Sequence, residues 1–380
     1  MNSDKRKNKR IGAVVVTYNR KKMLLEAIHA IAGQTYPVSA IFIVDNASTD
    51  GTADFLFQHD LVSEKPNAIC NGTAKGVIKK GDVLLPYDFI SNKDIITETG
   101  QTTITYAKLT ENLGGAGGFR EGMKLADSRE LDFIWVMDDD AEPEKEALST
   151  LMAHADDEGV VALTGSVWSA LGNLQEHHRG YIGFKKLFPF FQTPVPKKHY
   201  EKEIIDIDMA SFVGLLVKNS IVKKIQYPRG DFFIRHDDVE YSIKLKSCGR
   251  IILVPKSRII HKDFSEINPV KRFFLGRSSI RVSEKRIWLT YFDHRNSVYL
   301  ARKHAKNPFN FYRQLFVMTV RHVLGIMIYD DFKKERITCF FKAVSDGLTA
   351  DFQNVYPFKL KQKLDLKRTM IQNGRTPSRS

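Results

Sequence analysis

Three consecutive carboxylates, Asp138, Asp139 and Asp140, follow directly on the apolar run Phe133-Ile134-Trp135-Val136-Met137. Adjacent negative charges repel, so a fold tolerates them where solvent or a cation lies among them. If the backbone stays extended, Asp138 and Asp140 point to the same side. Two carboxylates placed so can hold Mg2+ or Mn2+, hard ions that favour oxygen ligands. A solvated acidic loop is the other reading, although the apolar run leading straight into the acids speaks for a strand end. A second acidic pair, Asp237-Asp238, precedes a helical pattern. One of its carboxylates can cap backbone N–H groups while the other faces a cleft as general base, or both can simply complement the helix N-terminus. His261 lies 23 residues further on, at the end of an apolar stretch. Imidazole is an acceptable ligand for such ions, but a lone histidine at a strand end is also an ordinary structural residue.

The turn Asn112-Leu113-Gly114-Gly115-Ala116-Gly117-Gly118 invites comparison with a dinucleotide fingerprint. Its spacing is not GxGxxG, and the next strand brings an acidic triplet where a ribose-binding acid would be sought. A nicotinamide site is excluded on that ground. Close backbone approach to a phosphate or sugar survives.

Strands that end on these residues would position them. Val14-Val15-Val16 reads as a buried parallel strand, followed by a helix (Met23, Leu24, Ala27, Ile28, Ile31 on one face) that stops at Gly33. The run AIFIVD ends on Asp45-Asn46, and a helix is expected from about Thr52. Residues 60–101 read as an irregular excursion, 102–109 as a strand, and the glycine turn as the opening of a helix. Residues 170–205 read as a flexible or substrate-facing segment, 250–262 as a pair of strands, and the chain beyond about 270 as mostly helical. The alternation of strand and helix predicts a parallel α/β sheet covered by helices on both faces. In such sheets ligands bind outside the carboxyl ends of the strands, where Asp45, the glycine turn and the Asp triplet all fall.

Composition bounds the rest. At 380 residues with 43% hydrophobic content the chain is globular, and three cysteines without CxxC spacing fit neither a disulfide framework nor a zinc knuckle but a reducing cytoplasm. A secretory signal and a spanning helix are not expected. Of the net charge of +14, residues 270–380 carry an excess of +15 and the first ten residues +4, leaving the middle at about −5. This distribution argues against a nucleic-acid binder. The basic C-terminal region is interleaved with aromatic and aliphatic residues, which suits an acidic membrane surface; a solvated tail is the plain alternative.

Taken in order, VVVTYNR, IVDNASTDGT, NLGGAGGF, WVMDDDAEP and HDDVEYS resemble family 2 glycosyltransferases of the GT-A fold over roughly residues 10–265. The combination looks most like the bacterial galactofuranosyltransferase branch. The resemblance implies a GT-A nucleotide-binding mixed sheet flanked by helices over residues 11–269; charge and patterning add a basic tail at 1–10 and a helical, basic region at 270–380 suited to a membrane surface. The resemblance also implies an inverting enzyme that uses Mn2+ or Mg2+ and moves galactofuranose from a UDP donor to a lipid-linked glycan, in the cytoplasm at the inner face of the membrane. Homo-oligomerisation is left open. By the same resemblance Thr17, Arg20, Asp45, Asn112, Gly114, Gly115, Asp138 and Asp139 line the donor site. Asp140 and His261 hold the metal, Asp238 is the catalytic base, and Asp237 with His236 meets the acceptor. The galactofuranosyl branch carries an aromatic residue before the acidic pair, where this chain has His236. A different donor on the same fold, dTDP-rhamnose or a UDP-pyranose, and a non-catalytic sugar-binding subunit are the alternatives.

Overall fold

The computed structural model describes residues 9–64, 79–80, 83–84, 87–188, 192–262 and 270–372. Most of the basic N-terminal tail lies outside these. The chain divides into two compact units, Met1–Tyr181 with Pro194–Gly230 and Asp237–Asp263, and Ile182–Thr193 with Asp231–His236 and Phe264–Ser380.

The first unit opens β1 (Ile11–Thr17), α1 (Lys21–Ala32), β2 (Ala40–Asp45), α2 (Thr52–Gln58), then two minimal strands, β3 (Lys79–Lys80) and β4 (Val83–Leu84). A long hairpin, β5 (Tyr87–Thr97) and β6 (Gly100–Leu109), leads into α3 (Gly114–Asp127) and β7 (Phe133–Asp138). Then come β8 (Ala141–Pro143), α4 (Ala147–Met152), β9 (Val160–Ser169), β10 (Arg179–Ile182), β11 (Gln192–Pro194), β12 (Ile205–Ile207), β13 (Met209–Ala210), β14 (Leu215–Lys218), α5 (Asn219–Ile225), α6 (Asp237–Lys246) and β15 (Arg250–His261).

The main sheet runs β12-β15-β9-β14-β7-β1-β2-β6-β5, with β8 attached to β15. Strands β7, β1, β2 and β6 are mutually parallel, as are β9 and β15, whereas β14 and β5 run antiparallel to their neighbours. The sheet is therefore mixed. Side chains of β1 alternate between two cores. Ile11, Ala13 and Val15 pack with Leu24, Ile28 and Leu148 of α1 and α4, while Val14 and Val16 pack with Phe119, Met123 and Leu245 of α3 and α6.

Three sequence expectations change. Residues 87–97, expected to be irregular, pair with β6 as an edge strand whose exposed positions are Asp88, Asn92, Asp94 and Ile96. Residues 250–261 form one strand, not two, with a register shift between Val254 and Arg258 that turns Ser257 inward to donate to Ala147 O at 2.9 Å. The region after 270 begins with a hairpin, β16 (Val270–Phe274) and β17 (Arg277–Arg281).

The second unit continues with α7 (Ile287–His304), α8 (Pro308–Tyr329), α9 (Lys333–Thr349) and α10 (Val355–Gln372). Asn307 caps α8 by accepting from Asn310 N, and Pro308 occupies its first turn, where a missing N–H costs nothing. In the same unit Phe233, Arg235 and His236 adopt positive φ (64°, 72° and 63°). Buried Asn296 holds that turn, its Nδ2 donating to Ile234 O at 3.1 Å and Arg235 O at 2.8 Å.

Candidate active site

Parallel register sets the rim of the site in the first unit: Thr17 lies opposite Asp45, and Val16 opposite Asp138. Beyond that rim Asp139 and Asp140 turn inward, both buried. Thr17 Oγ1 donates to Asp139 Oδ2 at 2.7 Å. Arg20 Nη1 donates to Asp140 Oδ2 at 2.6 Å and reaches Asp139 Oδ1 at 3.4 Å. Burial, with the charge of Asp140, pushes the Asp138 carboxyl up to about 7, His261 opposing. Burial likewise raises Asp139 to about 6 against the pull of Arg20. Burial also works on Asp140, but the neighbouring imidazole of His261 and the guanidinium of Arg20 outweigh it and hold this carboxyl below its ordinary value.

His261 arrives through β8. Ala141, next to Asp140, pairs with His261, and Lys262 N donates to Asp140 O at 2.9 Å. The imidazole Nε2 then lies 3.2 Å from Asp140 Oδ1. One ligand atom each from Asp138, Asp140 and His261 fall within 4.8 Å of one another. Asp140 Oδ1 is buried without a properly directed hydrogen bond among the described residues. Two carboxylates, an imidazole and an orphaned buried oxygen fit a divalent cation such as Mn2+ or Mg2+. Asp138, assigned by sequence to the donor, thus stands among the candidate ligands.

The glycine turn lies against the same rim. Asn46, not singled out from sequence, donates from Nδ2 to Gly114 O and accepts from Leu113 N, both at 2.8 Å. Asn112 Oδ1 accepts from Gly114 N at 2.8 Å, and Gly114 has φ +73°, a conformation that glycine adopts without penalty. A Cβ on Gly118 would meet Val16 Cγ1 at 2.4 Å, so this glycine serves the approach of α3 to the sheet. A Cβ on Gly115 would meet nothing within 4 Å, which leaves this position open to a ligand. Asp45 is buried, its Oδ1 accepting from Ser48 N at 2.7 Å and its Oδ2 from Tyr106 Oη.

Asp237 and Asp238 start α6. Asp238 Oδ1 accepts from Val239 N at 2.7 Å. Burial, with the neighbouring charge of Asp238 and a contribution from Asp138, pushes the Asp237 carboxyl well above its ordinary range. His236 belongs to the second unit, where its Nε2 lies 3.1 Å from Asp293 Oδ1.

Sequence reasoning also passed over a partly buried polar run behind His261. Gln175 Oε1 stands 3.1 Å from both His261 Nδ1 and His178 Nε2, and His178 Nδ1 is 2.8 Å from Ser211 Oγ. The adjacent His177-His178-Arg179 was the available signal, inside a segment read as flexible.

Residues 13–71 and 93–216 match the family model of glycosyl transferase family 2. Galactofuranosyltransferase GlfT1 of Mycobacterium tuberculosis is 26% identical over 245 residues, covering 62% of this chain and 64% of that protein. GlfT1 of Mycolicibacterium smegmatis is 25% identical over 248 residues, 62% of this chain and 65% of its own length. The chain thus spans just under two thirds of these relatives. Among solved structures, Staphylococcus aureus TarS 1-349 aligns with a TM-score of 0.47 at 14% identity, over 97% of this chain and 93% of that one. The mannosyltransferase PcManGT of Pyrobaculum calidifontis, solved with GDP-Man and Mn2+, gives 0.47 and 14%, over 97% and 84%.

Proposed function

Since this chain belongs to glycosyl transferase family 2, we propose that it is an inverting, metal-dependent transferase that moves galactofuranose from UDP-galactofuranose to a lipid-linked glycan. The observation that carries the reading is the Asp138–Asp140–His261 cluster at the carboxyl rim of the sheet, with a second acidic pair in the same unit close enough to Asp138 to feel its charge. A bound Mn2+ or Mg2+ supplies a positive charge that stabilises a departing diphosphate. Asp138, Asp140 and His261 hold it, while Arg20 and Thr17 keep Asp139 and Asp140 in place. Gly114 and Gly115 bring backbone close to the nucleotide. Asp238 accepts the proton of the acceptor hydroxyl as its oxygen attacks the anomeric carbon, and one displacement inverts that centre. The GlfT1 relatives support the donor.

The test measures nucleotide released when the full chain, Mn2+ and a detergent-solubilised lipid-linked acceptor extract meet a panel of nucleotide sugars. Release confined to UDP-galactofuranose is expected. Release from dTDP-rhamnose or a UDP-pyranose alone would overturn the donor, and silence from folded protein with every donor would favour a non-catalytic subunit.

The second unit supports a place at the inner face of the membrane. Among the described residues no helix is long and apolar enough to cross one. Yet α8 exposes Phe309 (77%), Tyr312, Phe316 (69%), Val320, Leu324 and Met327, a stripe at helical spacing on a helix without a single Asp or Glu. Arg313 and Arg321 lie on the same exposed side, which suits an anionic lipid surface. Phe309→Ser/Phe316→Ser protein should sediment less with phosphatidylglycerol-containing vesicles; equal binding would refute the assignment.

A further inference from the structure

Beside α8 the second unit holds a cavity of about 430 Å³. Gln314 builds one side of it. Its Oε1 accepts from Leu187 N at 2.8 Å, and its Nε2 donates to Lys185 O at 2.9 Å. Phe188 is thereby laid against α8, packed with Phe311 and Leu315. Another side is Arg281, the last residue of β17, whose guanidinium crosses the helix at Gly325; a Cβ there would meet Arg281 Nη1 at 3.2 Å. Along α8 itself Arg313, Val317 and Arg321 fall on successive turns of one face, with Met318 and His322 beside them.

The charges around this cavity do not cancel. Arg281 is matched by Asp330, to which its Nε donates at 2.9 Å and its Nη2 donates as well. His322 is neutral at ordinary pH: burial, with His294 and the guanidinium groups of Arg281 and Arg336 nearby, holds it down to about 3. Arg313 Nη2 meets the uncharged Asn310 Oδ1 at 3.0 Å. Neither Arg313 nor Arg321 has a carboxylate partner among the described residues, and α8 contains no acid. Two exposed positive charges therefore stand beside an apolar wall of Phe188, Val317 and Met318. Exposed Phe316, Val320 and Leu324 continue the apolar character along the same helix.

Guanidinium forks match the oxygens of a phosphate, and the apolar wall matches a hydrocarbon chain. A free phosphate uses the first feature and leaves the second idle. We propose that this cavity takes the head of a single lipid carrying two negative charges, a phosphate monoester or a diphosphate, with Arg313 and Arg321 on the phosphate oxygens and the chain along Val317, Val320 and Leu324. The inference rests on the membrane reading above and narrows it. A charged apolar face binds any anionic bilayer, whereas two unmatched arginines at one cavity select the headgroup. A phosphate diester such as phosphatidylglycerol brings one charge and leaves one arginine unmatched.

Sedimentation of the full chain with phosphatidylcholine vesicles that carry either phosphatidic acid or phosphatidylglycerol, adjusted to equal zeta potential, tests the selection. Phosphatidic acid should be preferred about tenfold, the equivalent of one further charge-assisted hydrogen bond. Equal binding overturns the headgroup site and leaves the membrane reading standing; binding to neither overturns both. Titration calorimetry with dihexanoyl phosphatidic acid, kept below micelle formation, against inorganic phosphate separates a lipid from a free anion. The lipid should bind about tenfold or more tightly, and inorganic phosphate binding as tightly overturns the lipid assignment. Arg313→Gln/Arg321→Gln should abolish both preferences, while Lys359→Gln/Lys363→Gln, an equal loss of charge on α10, should keep them. Preferences that survive in the folded arginine variant, or fall as far in the lysine variant, overturn the assignment to this cavity.

Discussion

Replacing Gly118 by alanine probes how closely α3 must lie on the sheet to hold the glycine turn. The new Cβ would sit 2.4 Å from Val16 Cγ1 and 3.4 Å from Asn46 Nδ2, whereas carbon contacts settle near about 3.5–4 Å. The helix must retreat by about 1 Å. Over-packing of this kind costs about 1–3 kcal/mol, partly offset by the ~0.5–1 kcal/mol gained when a helical glycine becomes alanine. The net loss of about 1–2 kcal/mol should lower the melting temperature by roughly 2–8 °C. The same retreat pulls Gly114 and Leu113 away from Asn46, so nucleotide affinity should fall together with stability. Gly115→Ala separates the two effects: with no atom within 4 Å of its Cβ it should be neutral or stabilising by up to ~1 kcal/mol, yet weaken UDP binding. Thermal unfolding and isothermal titration with UDP measure both. A Gly118→Ala protein as stable as the unmodified chain would refute the packing argument. Undiminished UDP binding by Gly115→Ala would remove the turn from the nucleotide site.

Asp238→Asn should cut turnover by about 10²–10⁴-fold while sparing UDP affinity; a rate within a few-fold of the unmodified enzyme would take Asp238 out of the role of base. Asp140→Ala should abolish Mn2+ binding, and an unchanged Mn2+ titration would count against the cluster. Metal-free stability should also depend on pH. The Asp138 carboxyl is raised from 3.8 to about 7 and that of Asp139 to about 6, so both hold protons more tightly folded than unfolded. Their contribution is full below 3.8 and is lost as pH rises through about 7. Buried histidines such as His178 and His294, held below their ordinary value, act with the opposite sign. Urea unfolding of the unmodified chain is therefore compared with that of Asp138→Asn. From about pH 5 to about pH 8 the unmodified chain should lose more stability, or gain less, with Mn2+ offsetting the difference at the higher pH. An equal change in the two proteins would refute the assignment.

The parts of the fold legible in sequence were those whose burial is two-sided. β1, β2 and β7 are continuous apolar runs because both faces meet helices, and their polar ends marked the rim. The edge strand β5 escaped because it packs on the cores only at Tyr87, Phe89, Ile90 and Ile95, and the polar run Asn92, Lys93 and Asp94 breaks any apolar pattern between them. In β15, Pro255-Lys256-Ser257 read as a break, since nothing in the residue types announces a bulge whose serine turns inward. The hairpin at 270–281 has the usual glycine at Gly276 but places Leu275 at φ +45°, where asparagine, aspartate or glycine is the usual signal. Within the site, acids at strand ends carried a chemical signature of their own. Asn46, Gln175 and Ser211 did not, because their importance lies in which buried atoms they face, and residues far apart in sequence decide that.

His261 meets Asp140 only because β8, beginning one residue after the acid, pairs with the last residues of β15. During synthesis the three aspartates and Arg20 leave the ribosome long before that strand exists. A nascent chain can therefore shape its nucleotide-side loops early, but it completes the ligand set only when residue 261 has emerged and docked. On the proposed reading, cation capture becomes a late event in the life of each molecule, and a chain terminated before that point lacks the imidazole of the ligand set.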